Sequence, residues 1–126
     1  MLFRSSSATG GSSATGGPGP TVNPPIDLQR LLIPDPAHAL LLRVSGDSML
    51  GAGIQHGDLL VVQRQRFARS GQLVVALLGD GFTLKRLRRR DDRWLLEAAH
   101  PAYPALELGE GQIWGVATHT IRRLAR

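Results

Sequence analysis

Short apolar runs alternate with glycine-containing turns from residue 39 to the C-terminal end, and this spacing limits the possible folds more than any other feature. The runs are five to seven residues long, which suits strands better than helices. The predicted strands are residues 40–44, 58–62, 72–78, 82–87, 94–98, 113–118 and 119–124. Such a series predicts a compact, mainly β domain with mainly antiparallel pairing. For residues 26–33, just before Pro34, a short helix and an extended segment both stay open.

The first 25 residues have a different composition, rich in glycine, serine and proline. Residues 6–11 read Ser-Ser-Ala-Thr-Gly-Gly and are repeated at once as residues 12–17. Such a segment buries too little apolar surface to offset the entropy that it would lose on ordering. We therefore predict a flexible N-terminal arm over residues 1–25 and a β domain over residues 26–126.

The chain has fourteen arginines but a single lysine, Lys85. A compositional preference for arginine explains the bias, yet a lysine can lose its proton when it is buried, whereas an arginine cannot. Ser48 lies thirty-seven residues earlier in a Gly-Asp-Ser-Met turn, and a neutral lysine can take the proton of a serine hydroxyl. Ser48 as nucleophile and Lys85 as general base are thus the candidate catalytic residues. An ordinary turn serine and a solvated lysine are the alternative.

A Gly-Asp-Gly turn at residues 79–81 predicts a tight hairpin that pairs residues 72–78 with 82–87. Alternation along the second strand puts Lys85 on the same face as Thr83, so the amine can point inward. Burial among apolar side chains would lower its pKa. The predicted lining consists of Val44, Met49, Leu84 and Leu87.

The composition also excludes several classes of protein. Without cysteine there is no disulfide framework and no cysteine-based metal or redox site. The four histidines are not at ligand spacing, and no serine lies in a Gly-x-Ser-x-Gly elbow, so we predict no metal, no cofactor and no Ser/His/Asp triad. No stretch approaches the ~20 apolar residues of a membrane span, and no hydrophobic signal core follows the first residues. A cytoplasmic protein without membrane contact is expected.

The net charge of +5 is concentrated in a basic run at the end of the predicted hairpin. The run consists of Arg86, Arg88, Arg89, Arg90 and Arg93. Contact with nucleic acid or an acidic partner is one interpretation, and a solvated hairpin end is the other.

Residues 44–49 read Val-Ser-Gly-Asp-Ser-Met, residues 57–62 read Gly-Asp-Leu-Leu-Val-Val, and residues 82–87 read Phe-Thr-Leu-Lys-Arg-Leu. The first two segments resemble the nucleophile segment of the LexA/UmuD family of self-cleaving peptidases, and the third is similar to that family's general-base strand. The resemblance continues through residues 51–54, 97–104, 113–116 and 121–124. It implies a LexA/UmuD-like, signal-peptidase-like β domain in which Ser48 and Lys85 form a Ser/Lys dyad of an autocatalytic serine endopeptidase.

Within that family, repressors such as LexA carry a helix-turn-helix domain ahead of the peptidase-like domain, whereas the UmuD branch has a short arm. The residues before 40 are rich in glycine, serine and proline and fit no recognition helix, which favours the UmuD branch. The resemblance then implies a homodimer whose self-cleavage is promoted by a RecA filament on single-stranded DNA. The shortened product would join a UmuC-like Y-family polymerase subunit for translesion synthesis in the SOS response. No direct sequence-specific DNA binding is expected.

The expected cleavage site lies in the arm. Residues 16–20, Gly-Gly-Pro-Gly-Pro, resemble the Gly-Phe-Pro-Ser-Pro that follows the cut in the UmuD branch, which places the scissile bond between Thr15 and Gly16. The chain departs from the branch in having Thr15 where Ala or Cys is usual and Gly17 where an aromatic residue is usual. Two other interpretations stay open: a non-catalytic dimeric β module that binds a polymerase or nucleic acid, and a small arginine-rich nucleic-acid binder.

Overall fold

The computed structural model describes residues 24–79, 81–108 and 112–125, together with the backbone of residues 2–7. The strands of this part of the chain form one antiparallel sheet in the order β1-β2-β3-β8-β4-β5-β6-β7. They are β1 (Leu2–Ser7), β2 (Ala39–Val44), β3 (Leu59–Arg64), β4 (Leu73–Leu78), β5 (Gly81–Arg90), β6 (Arg93–Glu97), β7 (Leu106–Glu107) and β8 (Gln112–Ile121). The predicted compact, mainly β fold class is confirmed.

The predicted hairpin is present, because β4 pairs with β5 from Leu73 opposite Arg86 to Leu78 opposite Gly81. The C-terminal prediction of two strands, 113–118 and 119–124, was wrong, since a single strand, β8, continues across the boundary between them and ends at Ile121. The boundary between the two predicted strands, Thr118-His119, contains no glycine or proline. Instead Thr118 is skipped in the pairing with β3, and its hydroxyl donates to the Val61 carbonyl at 3.3 Å. The irregularity is a bulge, which bends a strand without ending it.

The segment left open between helix and strand contains a short helix, α1 (Leu28–Leu32). Asp27 caps it, since its Oδ1 atom accepts a hydrogen bond from the Arg30 N–H at 3.1 Å. Two 3-10 turns, Pro36–His38 and Leu50–Ala52, lie on either side of β2. Within the described ranges, no helix is long and apolar enough to cross a membrane.

Two apolar clusters form the core, because the valine- and leucine-rich centres of β3 and β4 are buried. The larger cluster contains Leu42, Val44, Met49, Ile54, Leu60, Val62, Val75 and Leu84. The smaller contains Val74, Ala76, Leu87, Leu96 and Val116. Three of the residues predicted to line the lysine pocket thus share one cluster, whereas Leu87 packs in the other.

The backbone of residues 2–7 forms β1, which pairs antiparallel with β2 and puts Leu2 opposite Val44. It also comes close to β5, the strand that carries Lys85. The predicted cleavage residues Thr15 and Gly16 lie outside the described part of the chain. The division into an arm of residues 1–25 and a domain of residues 26–126 stays a prediction.

An ion pair fastens the end of β8 to the segment between the Ser48 turn and β3. Asp58 is 2% exposed and accepts hydrogen bonds from the Arg122 guanidinium through both carboxylate oxygens, each at 2.7 Å. Arg122 also donates to the Gly53 carbonyl at 2.6 Å. The Arg122 guanidinium lowers the pKa of Asp58 to about 2, well below the ordinary value, although burial opposes the shift. The carboxylate is therefore charged throughout the neutral range.

Candidate active site

The turn that carries Ser48 follows directly from β2. Gly46 has a φ of 98°, in the left-handed region that favours glycine, and its N–H donates to His56 Nδ1 at 3.2 Å. Two backbone bonds between Val44 and residues 57 and 58, at 2.8 and 2.9 Å, close the loop onto the start of β3. The buried Met49 side chain holds the far end of the turn in the larger core cluster. These contacts fix the position of the serine relative to the sheet.

Lys85 lies on β5 opposite Val74 and is 8% exposed. Its Nζ atom is 3.1 Å from Ser48 Oγ, so the structure brings together the two residues that the sequence nominated. Burial lowers the pKa of Lys85 below its ordinary value. No acidic side chain within the described ranges pairs with the amine. Desolvation without a compensating negative charge favours the neutral form, which can accept a proton.

Two further acceptors surround the lysine nitrogen. Thr83 Oγ1 is 3.0 Å away and the Leu84 carbonyl oxygen is 3.3 Å away. A neutral amine has two N–H donors and one lone pair. If the two acceptors take the N–H groups, the lone pair faces the remaining neighbour, the Ser48 hydroxyl. Thr83 was not recognised as part of the site from the sequence, although its position two residues before Lys85 on the same strand face was a usable signal.

The backbone of the nucleophile turn offers hydrogen-bond donors. The N–H groups of Asp47, Ser48 and Met49 have no acceptor among the residues that the structure describes. Unpaired N–H groups beside a nucleophile can stabilise the oxyanion that develops on an attacked carbonyl. The arrangement can therefore support acyl transfer as well as deprotonation.

Residues 98–103, between β6 and β7, meet the same turn through the backbone. The Ala99 N–H donates to the Ser48 carbonyl at 2.8 Å, and the Gly51 N–H donates to the Ala99 carbonyl at 2.7 Å. A Cβ atom on Gly51 would lie 2.6 Å from that carbonyl oxygen, so only glycine allows this approach. Tyr103 adds a side-chain bond, since its hydroxyl donates to Asp47 Oδ1 at 2.8 Å.

The histidines do not gather into a site. His38 contacts Asp35 at 2.9 Å and His119 contacts Thr118 at 2.9 Å, both on the surface. Across the described residues, no group of three or more His, Cys, Asp or Glu side chains could hold a metal ion. His56 and His100 each lie near the nucleophile turn, and their contacts there are with Gly46 and with Asp47.

Much of the basic run is paired within the chain. Arg88 and Arg90 both contact Glu97, at 3.1 and 3.2 Å, and Arg93 contacts Glu107 at 3.5 Å. These pairs join β5 to β6 and β6 to β7, as expected for the end of a hairpin. They favour the interpretation of the run as a solvated hairpin end over a nucleic-acid surface.

A family model described as peptidase S24-like matches residues 7–118. The chain belongs to the peptidase S24-like family. That assignment agrees with the mainly β fold and with the resemblance to the LexA/UmuD superfamily stated above.

Curated relatives match part of the chain. The LexA repressor 1 of Nocardia farcinica is 45% identical over 83 residues, which cover 66% of this chain and 38% of the relative. The LexA repressor of Acidovorax ebreus is 48% identical over 85 residues, covering 65% and 38%. The LexA repressor of Syntrophotalea carbinolica is 54% identical over 67 residues, covering 53% and 32%. The chain thus spans less than two fifths of the length of these relatives.

Proposed function

We propose that Ser48 and Lys85 form the catalytic dyad of a self-cleaving serine endopeptidase. The supporting observation is the 3.1 Å separation of Lys85 Nζ and Ser48 Oγ around an amine that is only 8% exposed. Membership of the S24-like family supports the same assignment. A lysine that is merely structural would gain nothing from being desolvated without a negative partner.

In the acylation step, the lone pair of neutral Lys85 takes the Ser48 hydroxyl proton while Oγ attacks the scissile carbonyl carbon. The carbonyl oxygen gains negative charge and accepts hydrogen bonds from the N–H groups of residues 47–49. The tetrahedral intermediate collapses with breakage of the C–N bond, and the Lys85 ammonium returns its proton to the leaving amine. An ester between Ser48 and the new carboxyl-terminal residue remains.

Hydrolysis reverses the roles. Lys85, neutral again, takes a proton from water, and the resulting hydroxide attacks the ester carbonyl. The ester bond breaks, Ser48 Oγ recovers the proton from the lysine, and the cleaved segment leaves as a carboxylic acid that gives its proton to water. In each step Lys85 Nζ either takes a proton from, or gives a proton to, an atom of Ser48, the leaving amine or water.

The proposed substrate is the chain's own N-terminal arm, cut between Thr15 and Gly16. The ten residues from Gly16 to Pro25 span up to ~33 Å when extended, enough to reach the site of the same chain or of a partner. The resemblance of residues 16–20 to the segment after the cut in the UmuD branch supports this bond. Thr15 carries a β-branched side chain, for which a pocket that usually takes Ala or Cys is narrow.

Intact-mass spectrometry after incubation at pH 7 and at pH 10 tests the proposal. A lysine base predicts loss of residues 1–15 that is faster at the higher pH, because the neutral fraction of the amine rises. Ser48→Ala removes the nucleophile and Lys85→Arg replaces the base with a group that stays protonated, so neither variant should lose mass. A wild type that keeps its full mass at both pH values and with RecA filaments would leave the non-catalytic β module as the better description.

For the biological role, we propose the UmuD branch: a homodimer, activated by a RecA filament, whose shortened form assists a Y-family polymerase in the SOS response. The support is the arm-like composition of residues 1–25, which are rich in glycine, serine and proline. Affinity capture with chains that begin at Gly16, compared with full-length Ser48→Ala, tests the role. Selective recovery of a Y-family polymerase by the short form is expected.

A second candidate role is transcriptional repression, which the names of the curated relatives favour. It predicts sequence-selective binding to promoter fragments that survives competition with unrelated DNA. Binding that competitor DNA abolishes, and that weakens steeply with salt, would indicate only the non-specific attraction of a basic chain.

A further inference from the structure

The nucleophile turn is joined to a segment more than fifty residues away along the chain. The Ala99 N–H donates to the Ser48 carbonyl, the Ala99 carbonyl accepts from the Gly51 N–H, and the Tyr103 hydroxyl donates to Asp47 Oδ1 at 2.8 Å. Asp47 is the residue immediately before Ser48. By holding the Asp47 side chain, the tyrosine restrains the peptide unit between Asp47 and Ser48. That peptide unit contains the Ser48 N–H and leads to the Ser48 side chain.

The segment that presents Tyr103 is itself ordered by short contacts. The Ala102 N–H donates to His100 Nδ1 at 3.0 Å, and the Tyr103 N–H donates to the His100 carbonyl at 3.2 Å. The His100 and Tyr103 rings meet edge to face, with their centres 5.2 Å apart. His100 Nε2 also lies 3.9 Å from Asp47 Oδ2, so both rings face the same carboxylate. A turn built this way presents the phenol at one fixed distance from Asp47.

We propose that Asp47 and Tyr103 are positioning residues for the Ser48 nucleophile, acting by fixing the turn that holds its hydroxyl and backbone N–H. This inference rests on the proposed self-cleavage. Within the described ranges, neither side chain hydrogen-bonds to Lys85 or to Ser48 Oγ, so neither is placed to exchange a proton with the reacting atoms. Their effect passes through the backbone of residues 47 and 48.

The chemistry of the pair suits the conditions of the reaction. The hydrogen bond to the Asp47 carboxylate raises the pKa of Tyr103, since ionising the phenol would place two negative charges together. The phenol therefore keeps its proton, and the bond persists, at the alkaline pH at which more of Lys85 is neutral.

Four variants test the proposal: Tyr103→Phe, Asp47→Ala, the double variant, and Asp47→Asn, which keeps an acceptor oxygen for the phenol. First-order rates of self-cleavage are measured by intact mass from pH 6 to pH 10. Tyr103→Phe and Asp47→Ala should each lower the alkaline plateau about 3- to 10-fold, as expected for the loss of one hydrogen bond. The double variant should be no slower than the slower single variant, because both remove the same bond. Asp47→Asn should stay within about 2-fold of the wild type.

The midpoint of the pH profile separates positioning from general damage. It belongs to Lys85, so a loosened turn lowers the plateau and leaves the midpoint in place. A variant with a damaged core would hydrate the lysine and move the midpoint upward. Asp35→Ala is the matched control, since Asp35 is another exposed acid bound to an aromatic side chain, His38 at 2.9 Å. Its profile should match the wild type.

The results separate the positioning role of Asp47 and Tyr103 from the proposed self-cleavage. A wild type that does not cleave itself refutes both. A wild type that cleaves while Tyr103→Phe matches its plateau refutes only the positioning role, as does a shifted midpoint or a double variant whose losses multiply. A lowered plateau with Asp47→Asn near wild type is the result that supports it.

Discussion

Replacing Asp58 with asparagine measures how strongly a buried ion pair holds the end of β8 beside the nucleophile loop. The Asp58 carboxylate accepts from the Arg122 guanidinium at 2.7 Å, from the Gln55 N–H at 2.9 Å and from the Thr120 hydroxyl at 3.2 Å. Asparagine has almost the same volume but turns one acceptor into a donor that faces these donors. The substitution thus removes the charge and its hydrogen bonds without opening a cavity.

The magnitude follows from the titration of the carboxylate. The pKa of Asp58 falls from 3.8 to about 2, and each unit corresponds to ~1.4 kcal/mol, so the charged form adds ~2.5 kcal/mol to the free energy of unfolding at neutral pH. Because the folded-state pKa is the lower one, this contribution is complete well above pH 3.8 and disappears as the pH falls through about 2. At pH 3 about half of it remains.

Urea unfolding at pH 7 and at pH 3 checks the expectation. Asp58→Asn should be less stable than the wild type by about 2–3 kcal/mol at pH 7, and the gap should shrink by about 1 kcal/mol at pH 3. Asp35→Asn is the control, since that exposed acid should change stability by less than about 0.5 kcal/mol at pH 7. A gap for Asp58→Asn that is equal at both pH values, or below about 1 kcal/mol at pH 7, would refute the reasoning.

Three further predictions concern the site itself. Protein labelled with ¹³Cε-lysine should give one lysine NMR signal, because Lys85 is the single lysine. Its titration midpoint should lie below 10.5 in the folded protein and return to the ordinary range in urea. An ordinary midpoint in the folded protein would contradict burial as the cause of the lowered pKa. Thr83→Val should slow self-cleavage about 10-fold while leaving urea unfolding within about 1.5 kcal/mol of the wild type, and an unchanged rate would remove Thr83 from the site. Gly51→Ala should both destabilise the fold and slow cleavage, because its Cβ would lie 2.6 Å from the Ala99 carbonyl oxygen. Wild-type stability and a wild-type cleavage rate would show that the backbone around Ala99 moves aside without cost.

The sequence predicted the parts of the fold that depend on local pattern. Strand positions followed from apolar runs and turn residues, and the pairing of β4 with β5 followed from the short turn between them. The proximity of Ser48 and Lys85 was predicted from residue chemistry and family resemblance. Local pattern could not predict it, because thirty-seven residues separate the two. The continuity of β8 was missed because a bulge at Thr118 leaves no glycine or proline as a signal.

Contacts between segments that lie far apart in the sequence could not be predicted in this way. Tyr103 meets Asp47 and Arg122 meets Asp58 over separations of 56 and 64 residues. Each pairing depends on which strand ends come together in three dimensions, and the residue types alone allow many partners. Thr83 differs, because its contact with Lys85 follows from alternation along one strand and was available to sequence reasoning.

The place of β1 in the sheet has a consequence for any chain cut after Thr15. Residues 2–7 precede that bond, so the fragment that departs includes the strand that pairs with β2. The backbone N–H and C=O groups of β2 that paired with β1 then lose their partners. β2 becomes an edge strand, to which another extended polypeptide could add. If the chain is cut at the proposed bond, the loss of residues 1–15 would do more than shorten the molecule. It would expose a row of unpaired N–H and C=O groups next to the serine turn, along a sheet edge that β1 covers in the intact chain.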